Sequence, residues 1–243
     1  MEKVRLDKLM VERGLVPSRA RAVALIHEGG VLVGGEVVRD AACNVSREVH
    51  VELLKEDIPW VSRAGIKLDH ALTHWNINAE GITCLDVGAS TGGFTQVLIS
   101  RGAKLVFAVD VGTNQLAPLL RSDPRIISME QTHILELPHS KIPRVDLAVV
   151  DVSFISLTKI ISHVAQFIKT GGGIVALIKP QFEVGKDVID QNKGVVRDAT
   201  LQEKIVADIK MQFERCGLQV IGTTDSPIEG GDGNKEFLIY ATH

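Results

Sequence analysis

Several things are missing from this chain, and each absence removes a class of function. No run approaches the ~18 consecutive apolar residues of a membrane-crossing helix. Met1-Glu2-Lys3-Val4-Arg5 leads no apolar stretch of the secretory kind. A spanning or conventionally exported protein is therefore not expected, and a cytoplasmic setting is. Only three cysteines occur (Cys43, Cys84, Cys216), scattered and outside any C-x-x-C pair. Neither a disulfide framework nor a structural zinc is indicated. Eight histidines form no ligand-spaced cluster, so no metal centre is expected. A strong charge of one sign is also absent. The net charge of −3 argues against indiscriminate nucleic-acid binding, so any RNA contact must come from a local basic face. Internal repeats and low-complexity segments are lacking too. The 243 residues leave room for one ordinary α/β domain and a small module.

What is present is organised around Cys84-Leu85-Asp86-Val87-Gly88-Ala89-Ser90-Thr91-Gly92-Gly93-Phe94. An apolar strand passes through a glycine turn and opens into a helix. With no Cβ at Gly88, Gly92 or Gly93, backbone N–H groups can approach a ligand closely. The next strand, Leu105 to Val109, ends in Asp110, at the offset where an acid accepts ribose hydroxyl protons in doubly wound sheets. A nucleoside-bearing cofactor is expected. The G-x-G-x-x-G of dinucleotide binders is absent, and Asp86 would repel a pyrophosphate while suiting a cationic or amine-bearing ligand. D-x-G-x-x-x-G-G-F resembles the turn of ribose 2′-O-methyltransferases. That resemblance implies S-adenosylmethionine as cofactor, held by Asp86, Gly88, Ser90, Thr91, Gly92, Gly93, Phe94, Asp110 and Val111.

The first sixty residues read as a separate small α+β module. Leu6, Leu9 and Met10 stand at helical spacing, with Gly14 as a stop. Ser18 is placed to cap a second helix whose packed side carries Ala20, Val23, Ala24 and His27, ended by Gly29-Gly30. Val31 to Val38, with Gly34-Gly35 in the middle, predicts a two-residue β-hairpin, and Val49 to Leu53 alternates like a further strand. Residues 1–21 carry six basic side chains (Lys3, Arg5, Lys8, Arg13, Arg19, Arg21) against three acidic ones. Charge alone fits an ordinary solvated helix face equally well. The words Arg5-Leu6-Asp7-Lys8-Leu9, Ser18-Arg19-Ala20 and Gly30-Val31-Leu32-Val33-Gly34-Gly35 resemble the S-four-like RNA-binding domain. The resemblance implies phosphate contacts from Arg5, Lys8, Arg19 and Arg21, which give affinity rather than sequence choice. Leu54 to Trp60, polar and then broken by Pro59, reads as the connecting stretch. The expected boundaries are a module at 1–57, a linker at 58–62 and a second domain at 63–243, with Trp60 as a packing anchor between domains.

From Val61 onward the pattern is α/β. A helix with Leu68, Ala71, Leu72 and Trp75 on one side precedes the first strand, and a second helix runs from Phe94 to Ser100. Ile126 to Met129 is a short strand, and Val145 to Asp151 an apolar run suited to a strand buried on both faces. A helix over Leu157 to Ile168, a strand over Ile174 to Ile178 and a polar loop over 181–199 follow. After a helix from Leu201 to Cys216, two strands, Leu218 to Thr223 and Glu236 to Tyr240, are joined without a helix. That predicts an antiparallel pair at one edge of an otherwise parallel sheet.

Four charges mark element boundaries: Lys67 before a helix, Asp151 and Lys179 at strand ends, and Glu236 at the start of the last strand. Such a sheet gathers its strand ends over the glycine turn. Lys-Asp-Lys-Glu in these places resembles the tetrad of FtsJ-related ribose 2′-O-methyltransferases. The words Ser62 to Leu68, Asp151 to Ser156, Lys179 to Glu183 and Gly233 to Phe237 narrow the resemblance to the TlyA family. It implies a Rossmann-like class I methyltransferase fold: a mostly parallel seven-stranded sheet with helices on both faces, behind a small α+β RNA-binding domain. It also implies 2′-O-methylation of cytidine in ribosomal RNA, with ribosomal RNA or ribosomal subunits as partners and no membrane. Lys179 is expected to face the hydroxyl, with Lys67 and the two acids setting its charge and position. Lysine in water holds its proton to about pH 10.4, so burial and a second cation would have to work against the acids. Two departures are visible: Gln131-Thr132-His133 stands where relatives often have Arg-Thr-Asn, and Ile58 where they often have Arg. Three rivals stay open here. They are a membrane-active haemolysin, an RNA-binding protein with an inactive methyltransferase fold, and methylation of a base amine. Enzymes of the last kind usually carry Asn/Asp-Pro-Pro-aromatic where this chain has Asp151-Val152-Ser153-Phe154.

Overall fold

The computed structural model describes residues 3–16, 19–27, 29–54, 58–185, 194–230 and 233–243. Ser18 as a helix cap, residues 55–57 of the connecting stretch, residues 186–193 of the long loop and Gly231-Asp232 lie outside the described residues. Contacts divide the chain into two units, Met1–Pro59 and Trp60–His243.

In the first unit, β1 (Lys3–Arg5) leads directly into α1 (Leu6–Glu12), which buries Leu6, Leu9 and Met10. Gly14, at φ +67°, takes the left-handed conformation just beyond its end. The second helix, α2 (Arg19–His27), buries Ala22, Leu25 and Ile26. This corrects the expected face: Val23 and Ala24 are half-buried, His27 is exposed, and the side chain of Ala20 lies outside the described ones. Leu25 and Ile26 remove more apolar area from water than the expected set, so they decide which way the helix turns. The hairpin of β2 (Val31–Val33) and β3 (Glu36–Val37) forms as expected, with positive φ at both Gly34 and Gly35. The strand expected from Val49 shortens to β5 (Val51–Leu53), paired with β2. A pairing of β1 with β4 (Asn44–Ser46) was not anticipated; three-residue strands carry no readable period.

The second unit opens with Trp60 and with α3 (Ala64–His74). A Cβ on Gly65 would come within 2.3 Å of Trp60 Cγ, so the indole packs directly on this helix. Then come β6 (Thr83–Val87), α4 (Gly93–Ser100), β7 (Leu105–Val109), α5 (Pro118–Arg121) and β8 (Ile126–Met129). A 3-10 turn (Ile134–Glu136) leads to β9 (Val145–Val150), α6 (Leu157–Ala165), β10 (Ile168–Ile178) and α7 (Pro180–Glu183). The chain closes with α8 (Ala199–Arg215), β11 (Gln219–Asp225) and β12 (Phe237–Thr242). The helix expected to reach Ile168 stops at Ala165 because Ile168 already pairs with Val145 in the sheet. The short helix α7 lies inside what reads as loop.

The seven strands run β11-β12-β10-β9-β6-β7-β8. Neighbours from β10 to β8 are parallel, while β12 is antiparallel to both β10 and β11. Alternation along the strands feeds two apolar layers. Leu85 and Val87 join the layer of α6 and α8, whereas Cys84 joins that of α3, α4 and α5. The expected mostly parallel, seven-stranded α/β fold is what the chain adopts.

Candidate active site

Register explains why charges distant in sequence meet. Val87 pairs with both Val109 and Val150, so Gly88, Asp110 and Asp151, each one residue further, stand together at the carboxyl rim. Ile178 pairs with Phe237. Because β12 runs backwards, Lys179 after one strand and Glu236 before the other reach the same rim. Lys67 arrives from the first turn of α3, inside the helix rather than ahead of it, since Ala64 already starts it.

These four residues form two ion pairs. Lys67 Nζ donates to Glu236 Oε2 at 2.6 Å, with both residues buried. Lys179 Nζ lies 2.5 Å from Asp151 Oδ1 and donates to Ser153 Oγ at 3.1 Å. Lys67, Asp151, Ser153 and Lys179 line one cavity of about 310 Å³, together with Arg63, Thr91 and Phe94. Glu236 stands behind Lys67 and is not on that wall. Phe154, on the wall of the adjoining cavity, is 92% exposed at φ +64°, a conformation rare for a bulky residue. Its ring lies 5.1 Å from that of Phe182, and the Phe182 ring is 5.9 Å from Lys179 Nζ.

Sequence reading missed a brace under this site. Glu183, in α7, accepts from Leu157 N at 2.9 Å and from the Ser156 hydroxyl. It thereby ties the turn after Lys179 to the start of α6, just beyond Asp151 to Phe154. Burial pushes its carboxyl above the usual range. A Pro-Gln-Phe-Glu run among polar residues gave no signal of this.

A second cavity of about 630 Å³ shares Gly88, Ser90, Asp151 and Ser153 with the first. Val87, Val111, Ile134 and Val152 supply apolar wall, and Asp110 and His133 supply polar groups. Asp110 accepts from Ser90 N at 2.8 Å and from Gly112 N at 2.7 Å, one bond to each oxygen. Each oxygen keeps a lone pair for a diol. His133 Nδ1 accepts from Leu135 N at 3.2 Å and caps the 3-10 turn. An apolar slot beside a doubly anchored carboxylate fits a nucleoside, and the adjoining cavity leaves room for its substituent.

Of the expected cofactor residues, Gly88, Ser90, Thr91, Phe94, Asp110 and Val111 are on cavity walls, while Asp86, Gly92 and Gly93 are not. A Cβ on Gly88, at φ +84°, would strike Asp151 O at 2.4 Å, and one on Gly93 would strike Ser62 Oγ at 2.3 Å. The bare turn lets the protein's own segments crowd it, rather than only admitting a ligand. Asp86 departs further from expectation. Its side chain is fully buried, and Oδ2 accepts from Thr95 Oγ1 at 2.5 Å. It does not face a cationic ligand, because α4 covers it. Burial pushes its carboxyl up to about 7, against the Thr95 hydrogen bond, with Asp151 and Asp110 adding to the rise. A raised carboxyl favours folding while protonated, so this contribution is full below about pH 4 and is lost as pH rises through about 7. Asp86→Asn should flatten that part of the stability profile, as read by denaturant unfolding at pH 5 and pH 8.

In the first unit, Arg5 and Arg19 both bond the buried carboxylate of Asp7, so neither is a simple solvated cation. Lys8 lies 3.7 Å from Glu12, and Arg21 is half-buried in α2. Among the described residues no helix is long and apolar enough to cross a membrane, and no group of three metal-ligating side chains occurs.

The FtsJ-like methyltransferase family matches residues 60–243, and the S4 domain family matches residues 4–51. The 16S/23S rRNA (cytidine-2′-O)-methyltransferase TlyA of Mycobacterium tuberculosis is 40% identical over 240 residues, covering 98% of this chain and 89% of the relative. The chain belongs to the TlyA family of FtsJ-like methyltransferases. A solved structure from Streptococcus thermophilus that carries the hemolysin name is similar over 100% of this chain and 89% of its own, at 39% identity and TM-score 0.78. A solved structure from Listeria monocytogenes that carries the name of an S-adenosylmethionine-dependent methyltransferase is similar over 74% of this chain and 99% of its own, at 19% identity and TM-score 0.55. That likeness is one of fold. The TlyA-type sheet thus has the methyltransferase architecture, with an S4 domain ahead of it.

Proposed function

We propose that the chain transfers a methyl group from S-adenosylmethionine to the 2′-hydroxyl of cytidine in ribosomal RNA, acting in the cytoplasm on the RNA or on a ribosomal subunit. One observation carries this reading: Lys179 and Asp151, paired at 2.5 Å, face a cavity that shares a wall with the nucleoside-shaped slot of Asp110. The name of the M. tuberculosis relative supports the choice of nucleotide.

S-adenosylmethionine supplies an electrophilic methyl on a sulfonium. Asp110 accepts the ribose hydroxyls, and Gly88, Ser90, Thr91, Phe94 and Val111 shape the wall around the cofactor. Asp86, Gly92 and Gly93 act from behind, by setting the course of the turn. A ribose 2′-hydroxyl is a poor nucleophile, so alignment is the larger part of the task; proximity can supply about 7–11 kcal/mol of such a barrier. Lys179 Nζ, paired with Asp151 and donating to Ser153, would hold that oxygen in line with the methyl. The hydroxyl proton would pass to the Lys179–Asp151 couple, whose open acceptor is the carboxylate, as the O–CH3 bond replaces the S–CH3 bond and S-adenosylhomocysteine is left. Lys67, neutralised by Glu236, fixes the other side of the cavity. Phe154 presents an open ring face on which an extruded cytosine stacks. Arg5, Lys8, Arg19 and Arg21 engage RNA phosphates from the first unit. We take residues 1–57 as the RNA-binding module, 58–62 as linker and 63–243 as the transferase; the division of contacts between Pro59 and Trp60 supports that partition.

The experiment is to incubate unmodified ribosomal RNA with the protein and methyl-labelled cofactor, then map the product. Label on the 2′-oxygen of cytidine is expected. Label on a base nitrogen, or none with folded protein, would remove the proposal.

A further inference from the structure

The first unit holds a buried acid with no part in the chemistry above. Asp7 is 1% exposed, yet it is gripped by guanidinium groups from two different elements. Arg5 donates from Nε to Oδ1 at 3.1 Å and from Nη2 to Oδ2 at 2.8 Å. Arg19 donates from Nη2 to the same Oδ2 at 2.8 Å. The hydrogen bonds from Arg5 lead in holding the Asp7 carboxyl well below the usual carboxylate range, against the cost of its burial. A solvated ion pair needs no such arrangement, and burying a carboxylate is costly unless its lone pairs are met.

The arrangement leaves the arginines with donors to spare. A guanidinium carries five N–H bonds; Arg5 spends two on Asp7 and Arg19 spends one. Their side chains are 46% and 58% exposed, so the remaining donors have access to solvent. Sharing Oδ2 keeps the two Nη2 atoms within two hydrogen-bond lengths of each other. Two cations on one anion leave the cluster a net positive charge. Planar forks held at a fixed spacing match the oxygens of one phosphate and lose less side-chain freedom on binding it.

We infer that Asp7 is a positioning residue for RNA: it locks Arg5 and Arg19 into a single two-arginine fork that grips one phosphodiester. The inference rests on the RNA-binding reading of the first unit. It makes a prediction opposite in sign to simple charge. Asp7→Asn adds one positive charge to the face, so independent cations would bind RNA more tightly after the change.

The test uses the full chain and a transcribed, unmethylated 23S ribosomal RNA, with affinity measured by filter binding over a potassium chloride titration. Asp7→Asn should weaken binding about tenfold, the scale of one lost charge-assisted contact. Arg19→Lys keeps the charge, so the salt slope should stay unchanged while affinity falls by a similar factor. Tighter binding by Asp7→Asn, or wild-type affinity in Arg19→Lys, overturns the inference. Should Asp7→Asn prove unfolded by circular dichroism, Arg19→Lys decides alone. Binding of S-adenosylhomocysteine should stay at the wild-type level in both variants, since it reports on the second unit. A wild-type protein that does not bind the transcript overturns the RNA reading, and this inference with it.

Discussion

Lys179→Met will abolish methyl transfer while binding of S-adenosylhomocysteine survives. The methionine keeps most of the volume and removes only the amine that is paired with Asp151 and Ser153. Loss of one member of the proposed Lys179–Asp151 proton-transfer couple is worth about 10²–10⁴-fold in rate, and the fall should appear in single-turnover transfer to ribosomal RNA. Cofactor affinity, measured by calorimetry, should change little, because Asp110 and the turn at Gly88 to Thr91 are untouched. Near-normal turnover would take Lys179 out of the chemistry. Loss of cofactor binding alongside turnover would instead make it a structural member of the rim.

The second large effect concerns the other couple. Glu236→Ala leaves the Lys67 ammonium, 8% exposed, without the carboxylate it touches at 2.6 Å. Removing one partner of a buried pair typically costs about 3–5 kcal/mol, most of it the penalty of the stranded charge. Lys67→Met combined with Glu236→Leu should therefore be more stable than Glu236→Ala alone, although both lack the pair. Denaturant unfolding of the two variants gives the comparison. Equal stability of Glu236→Ala and wild type would mean that water already screens the lysine. Activity should fail in both.

The sheet was readable because its strands are long apolar runs that end in charges, as in Val145 to Asp151. Asp151 and Lys179 were readable for the same reason, and Glu236 as the charge just before the last strand, whereas Lys67, inside α3, was marked by its place near a helix start and by the family resemblance. Their pairing was not: the sequence names two lysines and two acids, while strand register brings Lys179 beside Asp151 and the packing of α3 brings Lys67 to Glu236. Asp86 was misplaced because a carboxylate beside a glycine turn looks the same whether it faces a ligand or lies under α4. Glu183 and Asp7 were invisible as organisers, since each acts through partners in other elements. The end of α6 was overrun because Phe167 and Ile168 continue an apolar pattern that the sheet claims for pairing.

The reversed course of β12 also determines where the last residue emerges. Thr242 pairs with Gly173, near the beginning of the parallel run, and His243 exchanges hydrogen bonds with Gly171 and Gly172. Six extended residues, about 20 Å, separate that end from Glu236. Attachment to a surface or a label through His243 would therefore leave the reaction cleft pointing away from the support.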